Sequence, residues 1–132
     1  MKILQHFFLI ATLFLVPFFL RADTYPVNKN IDIKHYRFQL NLSDSADVIY
    51  GTAQITILFK KQGLQNSRLD LTNKTEIRQE KGMVIDAIKI ADVPVVFTHM
   101  NDEIILTLPT PSAANATLVF TITYHGIPFD GL

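Results

Sequence analysis

An all-β fold, built as an antiparallel sheet or sandwich, is what this sequence predicts, and three observations carry the prediction. Apolar and polar residues alternate with period two through most of the chain after residue 30, the signature of strands with one buried face. The alternating runs are short and separated by clusters of Ser, Asp, Asn, Gly and Pro, which favour turns. No segment beyond residue 22 carries a convincing helical period; Thr75–Gly82, short and polar, is the best candidate.

The first element precedes the sheet. Lys2 supplies one positive charge, and Phe7–Leu20 is then an apolar run interrupted only by Thr12. Such a run is shorter than the about 20 residues that span a bilayer as a helix, but it suits the core of a secretory signal. Pro17 closes the helix and Ala22 offers a cleavage point. The reading is a signal peptide over residues 1–22 and one domain over 23–132, with export to the periplasm, the exterior or a membrane surface. An uncleaved anchor is the alternative.

Asp23–Asn30 is a polar lead-in. Tyr36, Phe38, Leu40 and Leu42 then alternate with Arg37, Gln39, Asn41 and Ser43, giving a strand with one wet face. Ser43–Asp47 is a turn. Ile49, Gly51, Ala53, Ile55, Ile57 and Phe59 share one face of the clearest strand, and Gly51 within it marks a bulge or a close approach of backbone. Leu69 and Leu71 alternate around Asp70. Val84–Ile90 and Val95–Thr98 read as a strand pair with its turn at Ala91–Pro94. Glu103–Leu108 follows a tight link at Met100–Asp102, and Pro109-Thr110-Pro111 interrupts pairing because proline cannot donate to a ladder. Leu118, Phe120, Ile122 and Tyr124 form the last alternation. Beyond it, Gly126, Pro128 and Gly131 make a connecting loop, which is expected to lead on to further chain.

Composition excludes several classes of function. The full chain carries twelve basic and twelve acidic residues; without Lys2 and Arg21 the balance is ten to twelve. That gives no electrostatic case for nucleic acid. Cysteine is absent, so an exported domain of this sequence must rely on its apolar core rather than on disulfides.

Chemistry-bearing motifs are scarce. His35, His99 and His125 lack the His-Glu-x-x-His spacing that holds zinc on a helix. No Gly-x-Ser-x-Gly elbow is present, and the five glycines are scattered singly, without a phosphate-binding loop. Asp44 and Asp47 lie in a Ser-rich turn whose geometry alone accounts for them. Asp102 and Glu103 read as solvated charges at a hairpin tip. Asn41, Asn73 and Asn115 begin glycosylation-type triplets, frequent by chance in an Asn/Thr-rich chain. Tyr36, Phe38, Phe59, Phe97, Phe120 and Tyr124 fall at strand spacing and are expected in the core.

Five segments together resemble a known pattern. His35-Tyr36-Arg37-Phe38-Gln39-Leu40-Asn41-Leu42 is similar to a His-Tyr-x-Leu-x-Leu-x-Leu opening strand, and Tyr50–Ile57 to a Gly-x-Val-x-Ile strand. Leu69-Asp70-Leu71 resembles a Leu-x-Leu-Asp-Leu step, and Asn101–Pro109 the hairpin after it. Phe120–Gly126 with Gly131-Leu132 resembles a Tyr-x-Gly…Gly-Leu exit. In this order they resemble the amino-terminal domain of zinc aminopeptidases of the aminopeptidase N family. The resemblance implies a saddle-shaped, mainly antiparallel β-domain packed on a thermolysin-like catalytic domain, which would be its partner. In that family the zinc ligands, the general-base glutamate and the Gly-x-Met-Glu-Asn loop lie downstream, so zinc is expected only in that missing domain. No catalytic, cofactor-binding or metal residue is carried over to this chain. The expectation is therefore an incomplete, non-catalytic portion of an exported aminopeptidase; a stand-alone secreted β-sandwich that binds a partner is the alternative.

Overall fold

The structure is a computed structural model in which residues 28–129 are described; the predicted signal helix over Met1–Ala22 and the Gly131-Leu132 exit lie outside them. Its architecture is all-β, with two antiparallel sheets packed face to face. The strands are β1 (Ile31–Ser43), β2 (Ala46–Phe59), β3 (Asn66–Asp70), β4 (Gly82–Ile90), β5 (Val93–Pro94), β6 (Val96–Met100), β7 (Glu103–Thr107) and β8 (Ala116–Ile127). The larger sheet runs β1-β2-β8-β4-β5 and the smaller β3-β7-β6.

The central pairing joins β2 to β8 without a register shift, from Ile49 opposite Gly126 to Phe59 opposite Ala116. Because side chains alternate faces, this register puts Ala53, Ile55, Ile57 and Phe59 on the same face as Phe120, Ile122 and Tyr124. All seven are buried. Phe59 and Phe120 meet with ring centroids 6.5 Å apart at 51°, a tilted arrangement that aromatic quadrupoles favour. Leu69, Ile104 and Leu106 from the small sheet close the same core. Burying each of the large side chains Ile57, Phe59, Leu106 and Phe120 stabilises the fold by about 1.5–3 kcal/mol.

One sequence expectation is corrected in detail. Val84–Ile90 and Val95–Thr98 do not form a hairpin. On the side away from β8, β4 pairs with just the two residues of β5, Pro94 ends that ladder, and Val95 turns inward with its N–H donating to the Ile88 carbonyl at 2.8 Å. The chain there crosses from one sheet to the other, and β6 pairs with β7 instead. Thr75–Gly82 forms only a single 3-10 turn, Glu76–Arg78, followed by Gln79 and Glu80 at positive φ.

Gly51 is a close approach rather than a bulge. It pairs regularly with Leu40 on one side and Tyr124 on the other. A Cβ placed there would lie 2.3 Å from the Tyr124 ring, which lies across the glycine. The Tyr124 phenol, buried in this position, has its pKa pushed up by desolvation. Gly51→Ala is therefore expected to lower stability by about 1–3 kcal/mol through overpacking. In denaturant titrations its cost should fall by more than half in a Tyr124→Leu background; equal costs in the two backgrounds would show that the ring is not the obstacle.

Candidate functional site

The small sheet does not cover the large one. Strands of five residues are about 17 Å long, whereas β1, with thirteen, reaches about 43 Å. The apolar side of β1 therefore emerges beyond the core. Tyr36, Phe38 and Leu40, expected to be buried, are opposite Ile55, Ala53 and Gly51 on the core-side face, yet are 49%, 60% and 42% exposed. The strand alternates as predicted, but among the described residues no layer lies above it. The Tyr36 and Phe38 rings stack on each other, 5.8 Å apart and within 8° of parallel.

Between this ledge and β3 lies an open cleft of about 560 Å³. Its floor is Ala53, Ile55, Ile122 and Tyr124, and its walls are Tyr36 and Phe38 on one side and Leu69 and Leu71 on the other. Asp32, Arg68 and Asp70 stand among its lining residues. Arg68 bridges Asp70 and Glu103, each at 3.0 Å. Asp32 accepts from Lys34 at 2.7 Å, and this hydrogen bond holds its carboxyl below the usual range. An apolar floor with a few charged groups at the rim suits an apolar side chain or a peptide segment; it carries no nucleophile paired with a base.

The three described histidines do not come together. His35 is exposed on the edge strand. His99 Nε2 bonds the Leu71 carbonyl at 2.8 Å, and His125 Nδ1 contacts Asp86 at 2.7 Å while its ring stacks against Tyr50 on the outer face. Among the described residues no group of three or more His, Cys, Asp or Glu is placed to hold a metal ion. Of the two buried serines, Ser112 serves structure, its Oγ donating to the Lys61 carbonyl and accepting from the Leu64 N–H to stitch two loops together, whereas the Ser67 hydroxyl makes no hydrogen bond among the described residues. At the β1–β2 turn, Ser43 and Ser45 bond each other at 2.7 Å, so turn geometry accounts for the Ser/Asp cluster around Asp44 and Asp47.

Asp102 is not the solvated tip charge its sequence suggests. Asn101 and Asp102 both take positive φ in the β6–β7 turn, which turns the Asp102 carboxylate toward the Leu71–Gly82 connection. It accepts from the Arg78 guanidinium through both oxygens, at 2.7 and 2.6 Å, and from the Asn73 N–H at 2.9 Å. The Asn73 side chain returns the favour by accepting from the Asp102 N–H at 2.8 Å. Arg78 also lies 5.3 Å from the centre of the Phe129 ring. The hydrogen bonds from Arg78, then from Asn73, hold the Asp102 carboxyl below its ordinary value of 3.8. No sequence motif announces this network, because its partners are far apart in the chain.

No family model and no curated protein matches the chain. Solved structures do. The M1 zinc metallopeptidase of Deinococcus radiodurans matches with a TM-score of 0.61 and 21% identity over 75% of this chain. A variant of that peptidase bound to a Tyr-Ser-Ala substrate gives 0.62 and 21% over 76%. A two-domain M1 zinc metallopeptidase bound to L-arginine gives 0.62 and 20% over 76%. The chain is thus similar in fold to part of M1 zinc metallopeptidases, and it spans 21% of their length.

Asp102→Asn should loosen the Leu71–Gly82 connection and cost about 1 kcal/mol at neutral pH, a modest figure because the pair is partly exposed. The depressed carboxyl contributes stability above its unfolded pKa and loses it as pH falls through the folded value. The difference between wild type and variant in urea titrations should hold from pH 7 to about 5 and shrink below about 4. A difference that is independent of pH would remove the charge from the account.

Proposed function

We propose that the chain is the non-catalytic amino-terminal β-scaffold of an exported M1-type zinc aminopeptidase. In this reading residues 1–22 are the signal and residues 23–132 an incomplete β-domain, and the partner is a catalytic domain supplied by the rest of a longer polypeptide. The observation that carries it is the agreement in fold with M1 zinc metallopeptidases over three quarters of this chain. The order of the strand motifs from His35 to Tyr124 supports it independently, and export rests on the apolar run Phe7–Leu20.

The described residues do not supply a zinc site, so no reaction step is assigned to this chain. In the whole protein, zinc-activated water would attack the first peptide bond of a substrate with a free amino terminus. The Tyr-Ser-Ala ligand of the Deinococcus peptidase fits that substrate class. The contribution of the β-domain is a rigid wall whose apolar cleft and ledge remain available to another part of the protein. A stand-alone secreted binding module is the second reading, favoured by one observation: the Tyr36–Phe38 stack stands exposed beside the cleft, as an aromatic contact surface would.

Translation of the gene beyond the Leu132 codon, in all three forward frames, distinguishes the two. The scaffold reading expects a His-Glu-x-x-His motif downstream, and its absence from every frame would overturn that reading. The purified chain, supplied with zinc and amino-acid 4-nitroanilides, is expected to release no chromophore. Turnover by the chain alone would move the catalysis into it.

A further inference from the structure

Among the described residues the sheets have one long free edge. β5 has two residues and includes Pro94, and β3 and β6 have five each. β1 has thirteen and is paired with β2 on one side only. Such an edge presents backbone donors and acceptors to any further strand. Two register shifts bound its regular part, one between Ile33 and His35 and one between Asn41 and Ser43. Between them His35–Asn41 pairs without interruption, and Phe38 is the midpoint of that stretch.

We propose that this edge is a self-association surface, on which a second copy of the chain adds its own β1 antiparallel, with the two-fold axis at Phe38. This register sets Phe38 against the second copy's Phe38, Tyr36 against Leu40, Arg37 against Gln39 and His35 against Asn41. Opposed residues share a face, so the apolar ladder Tyr36–Phe38–Leu40 continues into the second copy's ladder on the core side. The polar pairs fall on the wet side. Two neighbouring registers are worse: an axis at Arg37 opposes two guanidinium groups, and an axis between Arg37 and Phe38 mixes polar with apolar on both faces.

Charge at the strand ends favours the same arrangement. The β1–β2 turn carries Asp44 and Asp47 with no basic residue. The opposite end gathers Lys29, Lys34 and Lys60 near Asp32, with the Lys34 and Lys60 ammonium groups 2.7 and 3.8 Å from its carboxylate. Antiparallel addition lays the acidic turn of each copy beside the basic end of the other. The inference concerns this chain as it stands and does not rest on the peptidase reading.

The chain contains no cysteine, so a single introduced thiol reports position without ambiguity. Tyr36→Cys, Phe38→Cys and Leu40→Cys variants of the full chain are oxidised under mild conditions. Only the residue on the axis meets its own copy, at a Cα separation of about 4.5–5.5 Å, within disulfide reach. Phe38→Cys should therefore cross-link roughly ten times faster or more than the other two, whose copies are offset by four residues along the strand, about 14 Å apart. Equal cross-linking at all three positions, as association through Phe7–Leu20 would give, overturns the proposal. So does cross-linking at none, as expected if the edge is reserved for a different polypeptide. Phe38→Lys, at a position largely exposed in the single chain, should leave thermal unfolding little changed and raise the dimer dissociation constant about tenfold or more in sedimentation equilibrium. Unchanged self-association in this variant would also overturn it.

Discussion

The β2–β8 register is the constraint on which the rest of the structure depends. It runs unshifted from Ile49–Gly126 to Phe59–Ala116, and a slip of one residue would turn Phe59, Ile57, Phe120 and Ile122 out of the core together. β1 takes its place from β2, and β4 takes its place from β8. The small sheet then packs on the face that this register has made apolar. Gly51 belongs to the same constraint, since only a residue without Cβ leaves room for Tyr124 to lie across β2.

The second determinant is a mismatch of lengths. A lid of five-residue strands cannot cover strands of twelve to fourteen. The uncovered portion contains the cleft and the Tyr36–Phe38 ledge, so what is functionally open in this molecule follows from strand length rather than from any special residue. Polar side chains secure the far end of the lid. Arg78, Asp102 and Asn73 anchor the Leu71–Gly82 connection to the β6–β7 turn, and Met83 bonds the Thr72 carbonyl at 2.8 Å as β4 begins.

Alternation made the sheet legible. The strand formed by Ile49–Phe59 and that formed by Leu118–Tyr124 are readable residue by residue, because period two has no other source in a chain that lacks helical patterning. Alternation does not say what stands above a face. Tyr36 and Phe38 have the same pattern as Phe59 and Phe120, and only the extent of the opposing sheet makes one pair exposed and the other buried. The crossing at Val95 was hidden for a related reason: a turn followed by an apolar run reads as a hairpin, whether or not the second run stays in the sheet of the first. Asp102 was illegible because its role comes from residues nearly thirty positions away. The metallopeptidase likeness, by contrast, was readable from motif order.

The separation of β2 from β8 along the chain bears on how the molecule is assembled. The β1–β2 hairpin is local and can close as soon as residue 59 has emerged, on the microsecond scale of hairpins. Its central partner is the last strand described, so the pairing that buries Phe59 and Ile57 has to wait for Ala116–Ile127 and for closure of a long loop. Until then the hairpin presents two open edges and an apolar face to its surroundings, the condition under which growing chains aggregate or engage chaperones. For this sequence, the vulnerable stage is the interval between the making of its second strand and its eighth.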